Sequence, residues 1–220
     1  MKYRNELKFI LNSQTVEIVK QRIMPVMRRD SNSDGVYTVN NLYLDDYYDT
    51  FLNDKQVGSF SRNKYRVRFY NNNLSFIRFE NKRKDGEYSY KRSVVLTENE
   101  YNSIKNCDFS FADGSNEPVL KDVATINRTR RLRPAAAFSY KREAFVYDPC
   151  DVRLTFDSSL RTDAFIPEPY SGLPHVMGIL LEVKYRDFLP SVISDMIQGL
   201  PMTRTEFSKY CYIREREMRH

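Results

Sequence analysis

Apolar and charged residues alternate along much of this chain. In the segment KYRVRFY (64–70), Arg66 and Arg68 share one face of an extended strand, while Val67 and Phe69 share the opposite face. The same period of two recurs in YRNELKFIL (3–11), SFIRFENKRK (75–84), AAAFSYKREAFVY (135–147), VRLTFDSSL (152–160) and MGILLEVKYRD (177–187). With VYTVNNLYLDD (36–46) and EYSYKRSVVL (87–96), the pattern predicts about eight strands, mostly antiparallel.

Helical periodicity lies between these groups of strands. It predicts helices over 12–27, 97–106, 117–130, 190–200 and 206–219. Asn12 or Ser13 would cap the first helix, which Pro25 would interrupt, and Thr97 with Glu100 would form a capping box at the second. Turns are predicted at NNN (71–73) and KDGE (84–87). Because no Gly/Ser-rich linker interrupts the chain, we expect one α+β domain over residues 1–220.

The polar faces of the predicted strands carry mainly Lys, Arg and Glu, with few of the Ser, Thr and Gln residues that usually dilute a solvated face. One interpretation is an ordinary antiparallel sheet with its polar face in water. In the other, the sheet closes into a barrel, the helices pack outside, and the charged face lines a tunnel. Buried cations without partners are costly, so such a tunnel would be wet and would hold anions.

A polyanion is the ligand that this second interpretation predicts. Arg side chains bind phosphate oxygens bidentately and Lys side chains supply point charges, while a carboxylate among them suits a divalent cation. Glu182, close to Lys184 on a late strand, is the candidate metal ligand, and its alternative role is a salt bridge to a basic neighbour. The chain has no Gly-rich phosphate-binding loop, so side chains would have to hold a nucleotide.

Composition narrows the function classes. The net charge of +6, from 35 basic and 29 acidic residues, favours an anionic partner. Cys107, Cys150 and Cys211 fit neither a zinc spacing nor a disulfide framework, and two histidines argue against a His-based triad or a His-rich metal site. No apolar run is long enough for a membrane helix, and the N-terminus lacks the apolar region of a signal peptide, so we expect a cytoplasmic protein.

An ordered set of motifs resembles a known family. The segments YRNELKF, LYLDD, KYRVRFY, FENKRK, YKR, SYKREAF, VRLTFD, LLEVKY and FSKY follow one another as in the catalytic domain of the vacuolar transporter chaperone (VTC) family, over residues 3–213. That family belongs to the triphosphate tunnel metalloenzymes, which are related to CYTH domains. The resemblance implies a closed antiparallel barrel of about eight strands around a charged tunnel, with helices outside.

The resemblance also implies an activity: an ATP:polyphosphate phosphotransferase, a polymerase that moves the γ-phosphoryl group of ATP to a growing polyphosphate chain with Mn²⁺ or Mg²⁺. The matching positions imply that six residues are catalytic, namely Arg66, Arg68, Lys82, Lys91, Arg142 and Arg153. Binding of nucleotide or polyphosphate falls to Lys8, Tyr140, Lys184, Ser208 and Lys209, and Glu182 matches the metal ligand. ATP and inorganic polyphosphate are the expected partners, and no nucleic acid is expected.

The chain departs from the family pattern in three ways. Glu206 stands where the fungal proteins have a further basic residue, so this end of the expected tunnel would bind the product differently. Arg4 replaces the first glutamate of the ExExK motif of the CYTH hydrolases, which weakens the case for a two-metal triphosphatase. The sequence shows neither the phosphate-sensing domain nor the membrane helices of the fungal proteins, which leaves open whether product crosses a membrane and allows a separate membrane-protein partner.

Three other functions stay open at this point. The first is a metal-dependent tunnel hydrolase of triphosphates or short polyphosphate, which would release orthophosphate and make no polymer. The second is a barrel that binds polyphosphate or RNA without catalysis, which the 16 tyrosines and the basic charge favour. The third is a structural barrel whose charged strands are linked by salt bridges.

Overall fold

The computed structural model describes residues 5–30, 35–162 and 178–217. Arg4, named above as a departure from the CYTH hydrolases, lies outside them. The strands are β1 (Asn5–Leu11), β2 (Arg28–Arg29), β3 (Val36–Asp45), β4 (Ser61–Arg62), β5 (Tyr65–Tyr70), β6 (Asn73–Asp85), β7 (Tyr88–Leu96), β8 (Arg133–Tyr147), β9 (Val152–Thr162), β10 (Ile179–Tyr185) and β11 (Thr203–Arg204). The α-helices are α1 (Ser13–Ile23), α2 (Thr50–Gln56), α3 (Glu98–Lys105), α4 (Pro118–Arg130), α5 (Ser191–Ile197) and α6 (Lys209–Glu217), and short 3-10 helices span Ser110–Ala112 and Asp148–Cys150.

The strands form one sheet of eleven, in the order β11-β1-β10-β9-β8-β3-β5-β6-β4, with β2 paired to β8 and β7 paired to β6. Over the described residues this order does not return to its first strand. The predicted closed barrel of about eight strands is therefore wrong, and the sheet is open. Alternation reports which face of a strand is buried, whereas closure depends on which strand edges pair. The end strands β4 and β11 are two residues long and carry no alternation that a sequence pattern could detect.

The chain divides into two compact units, each with its own core. Unit 1 comprises the described residues of 1–38, 140–161 and 174–207. Its apolar cluster joins α1 and α5, through Val19 and Ile193, to the strands β9 and β10, through Leu154 and Val183. The predicted amphipathic helix over 190–200 is thus confirmed as α5, although it is shorter than predicted.

Unit 2 comprises the described residues of 39–139, 162–173 and 208–220. Val67 and Phe69 of β5 are buried in the same cluster as Ile104 of α3 and Val123 of α4. The prediction that helices cover the apolar face of this strand is therefore confirmed. The assignment of residues 1–220 to a single domain stays a prediction.

Local signals in the sequence fix several element ends. Asn12 caps α1 by accepting a hydrogen bond from the Thr15 amide at 2.8 Å, and Thr97 and Glu100 form the predicted capping box at α3. The turn between β5 and β6 places Asn71 and Asn72 at positive φ, which asparagine tolerates better than most residues. Within the described ranges, no helix combines the length and apolar character needed to cross a bilayer.

The sequence did not indicate helix α2, which begins five residues after β3 ends. Its first turn is organised by the buried side chain of Asp45, which accepts hydrogen bonds from the amides of Phe51 and Leu52, each at 2.9 Å. Tyr210 of α6 donates a further hydrogen bond to the same carboxylate. These contacts link residues far apart in the chain, so propensity within a short window could not predict them.

Candidate functional site

One face of β5, β6 and β7 in unit 2 carries most of the predicted catalytic cations. Arg66 and Arg68 lie on the face of β5 opposite the buried Val67 and Phe69. The strand register brings β6 and β7 residues to the same side, since Arg66 pairs with Glu80 and Lys82 pairs with Lys91. We call this surface the cationic face; it comprises Lys64, Arg66, Arg68, Arg78, Glu80, Lys82, Lys84 and Lys91.

Like charges oppose each other twice on the cationic face. Arg68 is the cross-strand partner of Arg78, and Lys82 is the partner of Lys91. Directly opposed residues in an antiparallel pair have their Cβ atoms about 5 Å apart, so two cations in such a pair are destabilising. The sheet therefore holds positive charges closer together than its own stability favours.

Glu80 is the carboxylate among these cations. Arg66 Nε and Nη2 each lie 2.7 Å from Glu80 Oε2, and Lys91 Nζ lies 2.5 Å from Oε1. Burial raises the pKa of Glu80, but the charges of Arg66, Arg68 and Lys91 outweigh burial and lower this pKa to about 2. The Glu80 side chain is buried, whereas that of Lys91 is half exposed and can reach a ligand in solvent.

Two uncharged residues of β3 complete the cationic face. Asn41 Oδ1 accepts hydrogen bonds from Arg68 Nε and Nη2 at 2.9 and 2.8 Å, and Tyr43 Oη accepts one from Arg66 Nη1 at 2.9 Å. Because Asn41 and Tyr43 are uncharged, the charge pattern of the sequence does not identify them, although alternation within VYTVNNLYLDD places them on one face. Burial raises the pKa of Tyr43, but the charges of Arg66, Lys64 and Arg68 outweigh burial and lower it to about 7.

Unit 1 carries a second charged group, which we call the carboxylate cluster: Arg142, Asp157, Glu182 and Lys184. Arg142 grips Asp157 bidentately, with Nε and Nη2 at 2.6 and 2.7 Å from the two carboxylate oxygens. Glu182 Oε2 lies 3.0 Å from Lys184 Nζ and 3.7 Å from Arg142 Nη2. Burial opposes the charged form of Arg142, yet Tyr140, Asp157 and Glu182 raise its pKa above the ordinary value.

A divalent cation fits the donor chemistry of this cluster. Asp157 and Glu182 are buried carboxylates, and Thr155, the cross-strand partner of Glu182, has a buried hydroxyl with no hydrogen-bond partner among the described residues. Oxygen ligands of this kind suit Mg²⁺ or Mn²⁺. In the described ranges, no three His, Cys, Asp or Glu side chains are arranged so that they could hold a metal ion together, so a cation here would also need oxygens from its substrate.

The remaining predicted site residues of unit 1 are distributed over its strands. Lys8 of β1 is the cross-strand partner of Glu182, and its ammonium donates to the Phe207 carbonyl at 3.1 Å. Tyr140 is buried, with the Arg142 guanidinium over its ring. Arg153 of β9, the cross-strand partner of Lys184, binds the buried Asp30 at 2.5 Å, so it is already partly neutralised.

The predicted Ser-Lys motif lies at a helix start in unit 2. Lys209 is the first residue of α6, and the Ser208 hydroxyl accepts a hydrogen bond from the Cys211 amide at 3.5 Å. Ser208 therefore has a capping role that does not require a ligand. Glu206, the acidic replacement noted in the sequence, is exposed in unit 1.

A cavity of unit 2 lies on the other face of its strands. It has a volume of about 520 Å³ and is lined by Asn63, Tyr65, Asn81, Arg83, Asp85, Tyr90, Arg92, Asp122, Thr125 and Ile126. Its charges are already matched, because Arg92 binds Asp122 at 3.1 Å and Arg83 binds Asp85 at 2.8 Å. The cationic face, with its opposed like charges, therefore suits a polyanion better than this cavity does.

Solved structures with this fold come from archaea and bacteria. The PH1819 protein from Pyrococcus horikoshii OT3 matches with a TM-score of 0.53 and 12% identity, covering 98% of each chain. A "putative adenylate cyclase" from Bacillus halodurans matches with a TM-score of 0.53 and 12% identity, over 90% of this chain and 86% of that one. Another "putative adenylate cyclase", from Vibrio parahaemolyticus, matches with a TM-score of 0.53 and 8% identity, over 94% and 95%. At these identities the likeness shows the fold alone.

The sequence profile of the VTC domain matches residues 3–215. The chain belongs to the VTC domain family, as the ordered motifs predicted, and is therefore a polyphosphate-related protein. No match was found among the curated proteins.

Proposed function

We propose that this protein is an ATP-dependent polyphosphate polymerase that transfers the γ-phosphoryl group of ATP to the end of a polyphosphate chain. The observation that carries the proposal is that two pairs of like charges, Arg68 with Arg78 and Lys82 with Lys91, oppose each other on the cationic face of a VTC-family chain. A bound polyanion relieves both repulsions at once, and charge neutralisation is the main requirement of phosphoryl transfer.

The cationic face has the chemistry to bind the donor triphosphate. Arg66 and Arg68 offer planar forks that match phosphate oxygens, and Lys82 and Lys91 are exposed point charges on the adjoining strands. Glu80 holds Arg66 and Lys91 at fixed positions, so these cations are oriented before a ligand arrives. Preorganised charge of this kind lowers a transition-state barrier because no reorganisation is needed during reaction.

The carboxylate cluster supplies the second requirement. Glu182, with Asp157 and Thr155 close by, would hold Mn²⁺ or Mg²⁺. When bound, the cation would neutralise charge on phosphate oxygens. In unit 1, Arg142 and Arg153 would contact the acceptor chain, with Lys8, Tyr140 and Lys184 as further binding residues. In unit 2, Lys209 and Ser208 would be phosphate-binding residues.

The reaction needs no protein nucleophile. A terminal oxygen of polyphosphate attacks the γ-phosphorus, the bond to the β–γ bridging oxygen breaks, and ADP leaves with the electrons of that bond. The side chains position the two phosphates and neutralise their charges, and no covalent enzyme intermediate forms.

The test is incubation of the purified chain with ATP and Mn²⁺ while ADP, orthophosphate and acid-stable polymer are measured. The proposal expects polymer and ADP to accumulate together. Orthophosphate without polymer would identify a hydrolase, and tight binding of polyphosphate or RNA without ATP turnover would identify a binding module. Either result overturns the proposal. If polymer forms, the proposal also includes a separate membrane-protein partner, through which the chain would associate with a membrane.

A further inference from the structure

We propose that Tyr43 is an additional phosphate-binding residue, and that its phenol takes up a proton from solvent when a polyphosphate binds to the cationic face. The inference rests on the proposed function only in requiring that this face binds phosphates. It assigns a role to a residue for which the sequence motifs give none.

Geometry places Tyr43 at the centre of the cations. Its side chain is buried, its hydroxyl accepts a hydrogen bond from Arg66, and the Arg66 guanidinium carbon lies 5.8 Å from its ring centroid. Lys64 Nζ lies 5.2 Å from the same centroid. The ring is stacked between Phe138 and Tyr210, with centroids 5.2 and 5.0 Å away, so the hydroxyl cannot turn away from the cations.

The phenol lacks an acceptor for its own proton. In the part of the chain that the structure describes, Tyr43 accepts from Arg66 and donates no hydrogen bond. A protonated phenol in this position is therefore incompletely satisfied, which is costly for a buried group. A phosphate oxygen held by Arg66 and Arg68 would be the missing acceptor.

Several neighbouring elements determine the charge around Tyr43. Strand β5 and the residue before it bring Arg66, Arg68 and Lys64, and β6 brings Glu80 beyond Arg66. Strand β3 itself contributes Asp45, which accepts hydrogen bonds from Tyr210 Oη and backbone amides, and β8 stacks the uncharged ring of Phe138 on Tyr43. The stacked Tyr210 of α6 has its pKa raised by burial and by Asp45, so it stays protonated. The balance around Tyr43 is positive.

This balance makes the protonation of Tyr43 sensitive to a bound anion. Without ligand its pKa is lowered to about 7, so a substantial fraction of the phenol is ionised at neutral pH and partly compensates the cations. A phosphate that neutralises Arg66, Arg68 and Lys64 removes the cause of the lowering and repels the phenolate. The pKa then rises, and a proton is taken up at any pH between the unliganded and liganded values. At pH 6 the phenol is already protonated and little uptake follows.

The experiment measures the near-ultraviolet absorbance of tyrosinate while inorganic polyphosphate is added at pH 6, 7.5 and 9. The chain has 16 tyrosines and no tryptophan, so no indole band overlaps the signal. We expect the tyrosinate absorbance of the unliganded protein to titrate near pH 7 and to fall on addition of polyphosphate at pH 7.5, with little change at pH 6. Tyr43→Phe should abolish both signals.

A matched control is Tyr65→Phe, because Tyr65 is also buried but lies on the opposite face of β5 and its pKa is raised by burial. It should retain both signals. Relative to the affinity of Tyr43→Phe, the affinity of the wild type for polyphosphate should fall by up to about tenfold for each pH unit above pH 7. If Tyr43→Phe does not fold, the wild type still tests the inference, because tyrosinate absorbance that does not fall at pH 7.5 when polyphosphate binds rejects it.

Two outcomes overturn the inference and are distinguishable. Polyphosphate binding without a change in tyrosinate absorbance at pH 7.5 rejects the role of Tyr43 and leaves the proposed function standing. Absence of any polyphosphate binding rejects both.

Discussion

The cationic face of unit 2 and the carboxylate cluster of unit 1 both lie on the polar side of antiparallel strands, opposite apolar residues that helices cover. Their charges are arranged differently. On the cationic face, Arg68 opposes Arg78 and Lys82 opposes Lys91. In unit 1, Lys8 opposes Glu182. Arg153 opposes Lys184 there, but each of these two cations contacts a buried carboxylate, Asp30 and Glu182 respectively.

The difference separates two kinds of electrostatic task. Matched charges hold side chains in fixed positions, so the carboxylate cluster is ordered without a ligand. Opposed like charges store repulsion that an incoming anion relieves, so the cationic face gains most from binding. Both tasks are needed for a reaction in which charge must be positioned and neutralised.

The largest effect is expected from removing charge at the carboxylate cluster. Glu182→Gln should lower Mn²⁺-dependent polymer formation by roughly 100-fold or more, because a neutral amide is a poor ligand for a hard cation. The fold should persist, since Arg142 keeps its two bonds to Asp157. The measurement is the rate of polymer synthesis at several Mn²⁺ concentrations, alongside the melting temperature.

Glu143→Gln is the matched control for this variant. Glu143 is an equally buried carboxylate of unit 1 that binds Lys20 at 2.7 Å and Arg29 at 2.8 Å, but it lies on the other face of β8. The Glu143→Gln variant should be less stable than the wild type, and its polymer formation should depend on Mn²⁺ as in the wild type. Undiminished polymer formation by Glu182→Gln would contradict the assignment of Glu182 as a metal ligand.

The next effect tests whether the cationic face binds the substrate. Arg68→Ala should weaken binding of ATP and polyphosphate by about 10- to 100-fold, because charge-assisted hydrogen bonds to phosphate are lost while Glu80 keeps Arg66 and Lys91. The check is the Kd from equilibrium binding at fixed ionic strength. Arg83→Ala, on the opposite face of β6, removes the same charge and should change the Kd little; equal losses in both variants would mean that net charge alone attracts the ligand.

A third experiment removes the internal counter-charge. Glu80→Gln should destabilise the fold by about 3 kcal/mol at pH 7, since it leaves Arg66 and Lys91 without their carboxylate. The folded pKa of Glu80 is lowered to about 2, below the unfolded value of about 4.3. The stabilisation is thus complete above the unfolded pKa and is lost as pH falls toward 2. Urea unfolding of both proteins across this pH range should show the two curves converging at low pH, and a constant difference would contradict the assignment.

The smallest effect is expected where charges are matched and exposed. Arg92→Ala removes an ion pair with Asp122 in which both side chains are substantially exposed. Such a pair contributes less than about 0.5 kcal/mol, so the urea midpoint should barely move. A large loss of stability would show that the cavity on that face has a structural role beyond this pair.

Much of the secondary structure could be predicted because its causes are local. Alternation in KYRVRFY and the caps at Asn12 and Thr97 act over a few residues, and the structure has each of them. The prediction of a closed barrel was wrong because closure depends on which strand edges pair, and an alternating pattern does not indicate edge pairing. Tyr43 and Asn41 were missed because their importance comes from Arg66 and Arg68 on another strand.

The opposed pairs Arg68–Arg78 and Lys82–Lys91 also link the stability of the folded chain to the concentration of its ligand. A sheet that contains its own repulsion is stabilised by a counter-ion, so the proposed polyanion substrate would also stabilise the fold. By mass action, a ligand at a hundred times its Kd adds about 2.7 kcal/mol to a native state that alone binds it. Under the proposed function, the amount of folded chain in a cell would therefore depend on the amount of polyanion around it.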